Sequence, residues 1–250
     1  MTTQLVALSY SPWSEKARWA LDHHQLTYVE QPYVPIFGEL GLRVRARQLG
    51  GQISVPALLD NGAVVVGSWE IVRHLEERGG ARSLIPDSGA QEVERWSELS
   101  ERLLAAGRTL VTHRVSLDAE AKRESLPSQV PQSLAGMLRP LADIGIAFLR
   151  RKYGFGTAEL GACEDVLAQG LLALRAALAA RPEATSPATL LSRFSYADIA
   201  MALALQCVSP VDDRYITLGP ASRRCWSQPR LLEQFGDLIE WRDAIYATYR

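Results

Sequence analysis

The sequence predicts a small α/β unit followed by an all-helical unit, and three observations carry that reading. Residues 1–80 alternate short apolar runs with helical stretches in the order strand, helix, strand, irregular segment, strand, strand, helix. Asp60-Asn61-Gly62 separates two apolar runs with a turn that needs positive φ. Beyond Gly89 the apolar residues recur only at helical spacing.

Leu5 to Ser9 is a short apolar run, and Trp13, Ala17, Ala20 and Leu21 then repeat at three to four residues, so a strand leads through a turn into a helix. Leu26 to Val29 reads as a second strand, and the helix between the two favours a parallel pair because it carries the chain back across the sheet. From Pro32 to Ser54, Pro32, Pro35, Gly38, Gly41, Gly50 and Gly51 break every pattern, which predicts a loop with a short or irregular helix. Val55 to Leu59 and Ala63 to Val66 then form a hairpin about Asn61-Gly62. Gly67-Ser68 caps a helix carrying Ile71, Val72 and Leu75, which stops at Gly79-Gly80.

Gly79 to Gly89 has linker composition. After it, Val93, Trp96, Leu103, Leu104, Leu110 and Val111 make one helical stripe, Leu134 to Tyr153 a second helix, and Cys163, Val166, Leu167, Leu171, Leu174 and Leu178 a third that Pro182 ends. Ser195 and Asp198 have capping-box spacing, with Phe194 and Ile199 placed as a staple, ahead of an apolar run to Val208 that suits a buried helix. Leu231, Phe235, Leu238, Ile245 and Tyr249 predict a last amphipathic helix. Two domains with a cleft between them are expected.

The composition excludes several classes. The 250 residues carry 27 Lys+Arg against 28 Asp+Glu, a net charge of −1, and are 47% hydrophobic, which fits a globular protein and neither a disordered nor a fibrous one. Acids are interspersed with the arginines, so nucleic acid is not the expected partner. No apolar run reaches the ~18 residues of a membrane span, and the amino terminus lacks the basic and apolar regions of a signal peptide. Cys163, Cys207 and Cys225 form no CxxC and no His/Cys metal spacing, so no metal is expected and a reducing, cytoplasmic location is. His23-His24, His74 and His113 are not read as ligands, and Gly154-Phe155-Gly156 lacks the third glycine and preceding strand of a dinucleotide site.

The candidate chemistry gathers on three short segments. Ser11 and Ser14 flank a helix start, where free N–H groups and the helix dipole favour negative charge nearby, although either serine also satisfies a helix end and Pro12 suits the first helical position. Pro56 either starts an edge strand or, if cis, exposes the Val55 backbone to an extended peptide. Ser68 reads as a helix N-cap and, at the same time, as part of a carboxylate site. Arg43, Arg45 and Arg47 read as a solvated surface that could also reach a carboxylate.

Taken in this order, the segments resemble the soluble glutathione S-transferases. Ser11-Pro12-Trp13-Ser14 leading into Glu15-Lys16-Ala17-Arg18-Trp19-Ala20-Leu21 is similar to the serine-type active-site turn and first helix, closest to the tau and zeta patterns. Val55-Pro56 resembles the Val-Pro pair whose proline is cis in that family, and Gly67-Ser68-Trp69-Glu70-Ile71 resembles its acid-Ser-x-x-Ile segment. Ser195 to Asp198 resembles the capping box of its helical domain. The departures are Gly67 in place of the acid, with Glu70 as a substitute, and a segment from Ser116 to Gly156 that is longer than usual.

The resemblance implies a thioredoxin-like domain over 1–80, a linker over 81–89 and an all-helical domain over 90–250. It also implies glutathione as cosubstrate, a small hydrophobic electrophile, a detoxifying transferase activity and a homodimer. Ser14 stands at the family's catalytic serine, with Ser11 and Tyr10 as rival hydroxyls, and Trp13, Val55, Pro56, Ser68, Trp69 and Glu70 as contacts to glutathione. A hydroxyl aimed at the cosubstrate's sulfur favours its thiolate, lowering a thiol pKa from about 8.5 toward neutrality. The electrophile pocket is expected from Tyr10 or Trp13, residues 34–37, Trp96, His113 and Arg114. No cysteine stands in Ser11 to Ser14, which argues against thiol-transferase branches, because disulfide exchange needs a protein thiolate. A glutathione-dependent isomerase or dehalogenase and a non-catalytic binding protein are the alternatives.

Overall fold

A computed structural model of the chain describes residues 2–33, 37–46, 53–79, 82–125, 143–147, 151, 160–181 and 186–250. The amino-terminal part is a four-stranded sheet of order β2-β1-β3-β4, formed by β1 (Gln4–Ala7), β2 (Val29–Pro32), β3 (Ala57–Asp60) and β4 (Ala63–Val66). β1 pairs with β2 in parallel and with β3 antiparallel, and β3 with β4 antiparallel. Helix α1 (Pro12–His23) connects the parallel pair, α2 (Phe37–Ala46) precedes β3, and α3 (Ser68–Arg78) follows β4.

Strand alternation divides the core between the two faces of this sheet. Val6 and Ala57 stand opposite each other in register and pack with Tyr33, with Leu42 of α2 and with Ile53. Leu5 and Leu58, also in register and fully buried, alternate to the other face, where α1 and α3 pack together. The β3–β4 turn is the primed type the sequence predicts: Asn61 and Gly62 have φ of 49° and 89°. This βαβ then ββα order is the thioredoxin-like α/β arrangement, and the rest of the described chain is helical.

Helices α4 (Ala90–Leu117), α5 (Ala119–Glu124), α6 (Leu160–Ala179), α7 (Tyr196–Ala204), α8 (Pro220–Trp226), α9 (Pro229–Gln234) and α10 (Gly236–Tyr249) follow, and residues 143–147 are also helical. The remainder of the expected Leu134–Tyr153 helix, Gly154-Phe155-Gly156 and the stop at Pro182 lie outside the described residues, apart from position 151. The single last helix read from the sequence is two: Phe235, at φ −126°, separates α9 from α10. In the segment expected to be a loop with a short or irregular helix, α2 is a regular helix of ten residues.

The chain divides into two compact units, Met1–Ser100 with Ala176–Leu203 and Trp241–Arg250, and Glu101–Arg175 with Ala204–Glu240. In the first, the sequence's capping pair works in reverse. The Asp198 carboxylate accepts from the Ser195 amide at 2.9 Å, the Ser195 hydroxyl at 3.1 Å and the Leu190 amide at 2.7 Å. Burial pushes its carboxyl up to about 6 against these bonds. Phe194 stacks on Tyr249 at 4.0 Å between ring centres. In the second unit, the Asp118 side chain caps α5 through the Glu120 and Ala121 amides, and Glu124 receives the first amides of α8, Ala221 at 3.1 Å and Ser222 at 2.6 Å. No helix among the described residues is long and apolar enough to cross a membrane.

Candidate active site

The carboxyl end of β1 runs through Leu8, Ser9 and Tyr10 into α1. Ser11 is the N-cap, in extended conformation, and its hydroxyl accepts from the Ser14 amide at 3.4 Å, while Pro12 takes the first helical position. Ser14 is fully buried, and its hydroxyl accepts from the Leu8 amide at 3.1 Å. Ser11 retains 8% of its surface. Both hydroxyls act as acceptors in these bonds and keep their own proton to donate. Tyr10 and Trp13 are partly exposed, and burial raises the Tyr10 phenol above its ordinary range, so it stays a protonated donor.

The second segment meets the sequence expectation in its geometry: the Val55–Pro56 bond is cis. Among the described residues, neither the N–H nor the C=O of Val55 has a hydrogen-bond partner. The Pro56 carbonyl accepts from the Gly67 amide at 2.9 Å, which ties this peptide to the start of α3.

The third segment corrects the expected cap. Gly67, not Ser68, is the N-cap of α3, and Ser68 is its first helical residue. Gly67 sits at φ 102° and ψ 144°, a conformation open to glycine and costly for any residue with a Cβ. With no side chain capping it, α3 begins with the amides of Ser68, Trp69 and Glu70 unpaired among the described residues, and the Ser68 hydroxyl, on a side chain only 3% exposed, has no partner there either. Such a start suits an anion. Glu70 is exposed and lies 3.5 Å from Arg73 one turn on. Trp69 is half-buried against Tyr196, ring centres 5.6 Å apart.

The structure thus brings Val55, Pro56, Gly67 and Ser68 together and places Tyr10, Ser11, Trp13 and Ser14 on one turn. Arg43 is engaged by Glu39 at 2.8 Å along α2, Arg45 is exposed, and Arg47 lies outside the described residues, as do residues 34–36 of the expected electrophile pocket. His113 and Arg114 lie on α4, where Arg114 donates to the Ser227 carbonyl and the Gln228 side chain. Among the described residues no group of three or more His, Cys, Asp or Glu could hold a metal ion.

Beneath the turn lies a charged network that the sequence reading did not single out. Arg18 forks onto Glu30 of β2 at 2.8 Å through two nitrogens, reaches Glu15 at 3.1 Å and donates to the Leu8 carbonyl at 3.0 Å. Glu15, 1% exposed, is also held by Arg250 at 2.8 Å, and Arg250 by Asp22. Burial raises the Glu15 carboxyl against the pull of Arg250 and Arg18. The sequence carries no signal for this network, because Glu15, Arg18 and Asp22 read as a polar stripe on α1 while Glu30 and Arg250 are brought to them only by the fold.

Residues 10–78 match the glutathione S-transferase N-terminal domain. That segment runs from Tyr10 of the turn to the end of α3 and so contains the candidate hydroxyls, the cis Val55–Pro56 peptide and the start of α3. A glutathione S-transferase from Methylobacterium radiotolerans JCM 2831, in complex with glutathione sulfonate, is 18% identical over 99% of this chain and 92% of its own, with a TM-score of 0.60. The β-etherase LigF from Sphingobium sp. strain SYK-6 is 16% identical over 95% of this chain and 100% of its own, with a TM-score of 0.57. A maleylacetoacetate isomerase from Anaeromyxobacter dehalogenans 2CP-1, with glutathione bound in its active site, is 18% identical over 99% and 91%, with a TM-score of 0.50. At these identities the likeness is one of fold. No curated protein matches the sequence.

Proposed function

We propose that the chain is a glutathione transferase that stabilises the glutathione thiolate with a hydroxyl of the 10–14 turn, for attack on a small hydrophobic electrophile. The observation that carries this reading is the Val55 backbone, unpaired among the described residues and tied through Pro56 and Gly67 to the uncapped start of α3. An extended peptide pairs with the first, and its carboxylate with the second. Glutathione is a peptide that carries both groups.

Ser14, Ser11 and Tyr10 are the candidate donors. Exposure favours Ser11, because Ser14 has no free surface and its hydroxyl already receives the Leu8 amide. Trp13, Trp69 and Ser68 line the proposed cosubstrate, and Glu70 would need to leave Arg73 to reach its amino group. The glutathione-binding domain we propose spans 1–80, joined by 81–89 to the helical domain over 90–250, and the proposed assembly is a homodimer.

A glutathione-dependent isomerase is the second reading, favoured by the fold it shares with the maleylacetoacetate isomerase. It uses the same thiolate and differs only in the second substrate. The test is a pH titration of the ultraviolet thiolate absorbance of glutathione with the wild-type protein, Ser11→Ala and Ser14→Ala. Saturable binding with a thiol pKa lowered in the wild type and restored in one variant supports the reading. No saturable binding at millimolar glutathione overturns it in favour of a non-catalytic protein.

A further inference from the structure

Leu8 is held at both of its backbone groups. Its amide is received by the Ser14 hydroxyl at 3.1 Å, and its carbonyl accepts from the Ser11 amide at 3.3 Å and from Arg18 at 3.0 Å. The two serines of the turn are therefore fastened to a single residue, and that residue is fastened to one side chain. Arg18 is itself immobilised: its side chain is 11% exposed, and its planar fork is engaged by Glu30 from β2 and Glu15 from α1. A guanidinium locked between two carboxylates presents its remaining N–H in one direction, which an ammonium on a flexible stem does not do.

We propose that Arg18 is a positioning residue for the active-site turn, setting the placement of the Ser11 and Ser14 hydroxyls through the Leu8 carbonyl. This rests on the glutathione transferase reading. Arg18 touches neither hydroxyl in this arrangement; it fixes the peptide from which both are measured. Thiolate stabilisation depends on a hydroxyl lying within hydrogen-bond distance of sulfur, and displacement of such a group by about 1 Å costs up to about 100-fold in rate. The remaining links, Glu15 to Arg250 and Arg250 to Asp22, hold Glu15 in place behind Arg18.

The experiment compares wild type, Arg18→Met, Arg18→Lys and Glu30→Gln. It reads the thiol pKa of bound glutathione, the dissociation constant of glutathione, and kcat and KM with a chlorodinitrobenzene probe. Arg18→Met is expected to raise the thiol pKa and to lower kcat about 10-fold to 100-fold, with glutathione affinity within about threefold of wild type. Arg18→Lys keeps the charge without the fork and restores little of either. Glu30, whose side chain is 35% exposed, gives a milder variant with the same direction of change, and it decides the matter if Arg18→Met does not fold. A thiol pKa and kcat equal to wild type in Arg18→Met, or full rescue by Arg18→Lys, overturns the proposal and leaves the transferase reading standing. Wild-type protein that binds glutathione without lowering its thiol pKa overturns both.

Discussion

The Gly67 amide donates to the Pro56 carbonyl at 2.9 Å, and this bond joins the peptide after Val55 to the first turn of α3. It is possible because Gly67 adopts φ 102° and ψ 144°. A Cβ at Gly67 would meet nothing within 4 Å, so the requirement is conformational and not one of space. Gly67→Ala is therefore expected to destabilise the protein by about 1–3 kcal/mol and to weaken glutathione binding as the start of α3 shifts. Equilibrium urea unfolding, followed by a glutathione titration, checks it. An unchanged midpoint would show that the conformation is accessible to alanine.

The two serines separate by what each leaves behind. Ser14→Ala removes the acceptor of the Leu8 amide at a fully buried position, and an unsatisfied buried donor costs about 1–3 kcal/mol. Ser11→Ala removes the N-cap of α1, a loss of about 0.5–2 kcal/mol. The catalytic consequence runs the other way: Ser11→Ala is expected to raise the thiol pKa of bound glutathione more than Ser14→Ala does. Unfolding midpoints set beside thiolate titrations of the same two variants test the pair of effects, and equal thiol pKa values in both variants would remove the distinction.

Much of this site was legible in the sequence where one residue type has one use. Asn61-Gly62 gave the hairpin because both positions need positive φ, and Ser11-Pro12 gave the start of α1 because serine caps and proline opens helices. The apolar run Leu26 to Val29 puts the second strand three residues earlier than β2, which is an edge strand. Val29 is 46% exposed there, so its placement comes from pairing with β1 and not from an apolar run. Ser68 read as a cap because serine usually is one, whereas a glycine cap leaves no side-chain signature. Arg18 and Glu15 look like an ordinary exposed pair at i, i+3, and only the fold brings Glu30, Leu8 and Arg250 to them.

Stability at low pH is expected to report on Asp60, at the end of β3. Thr3 donates to its carboxylate at 2.8 Å, His74 lies at 3.0 Å, and Arg78 also donates to it. Desolvation raises this carboxyl, but the bonds from His74, Arg78 and Thr3 bring it down from 3.8 to about 2. A depressed carboxylate contributes stability that is present above its unfolded value and lost as pH falls through its folded one. The contribution is about 2 kcal/mol, fully present above pH 4 and disappearing between pH 4 and about 2. Asp60→Asn should lower stability at neutral pH and flatten that acid limb. Urea midpoints measured from pH 7 to 2 check both halves, and an unchanged acid limb in the variant would assign the loss to other carboxylates.

Two glycines of the helical part should respond to alanine with opposite signs. On α4, a Cβ at Gly107 would lie 2.3 Å from both the Cβ and the Sγ of Cys207, whose Cα is 3.8 Å away. The crowding Cβ sits at the root of a buried side chain, so a χ1 rotation that moves the Sγ does not relieve it. Gly107→Ala is expected to cost about 1–3 kcal/mol, as overpacking does in a filled core, and more if α4 has to move. Gly161, near the start of α6, is exposed, and a Cβ there would meet nothing within 4 Å. Helix propensity alone then operates, so Gly161→Ala should stabilise by up to about 1 kcal/mol. Thermal unfolding of the two variants against wild type decides the case. The contrast depends on the Gly107–Cys207 approach: if Gly107→Ala is as stable as wild type, α4 and the turn carrying Cys207 are not packed backbone to side chain at that point. A further check is Gly107→Ala combined with Cys207→Ala, which removes the Sγ and should recover part of the loss, whereas strain in α4 itself would leave the double variant no better.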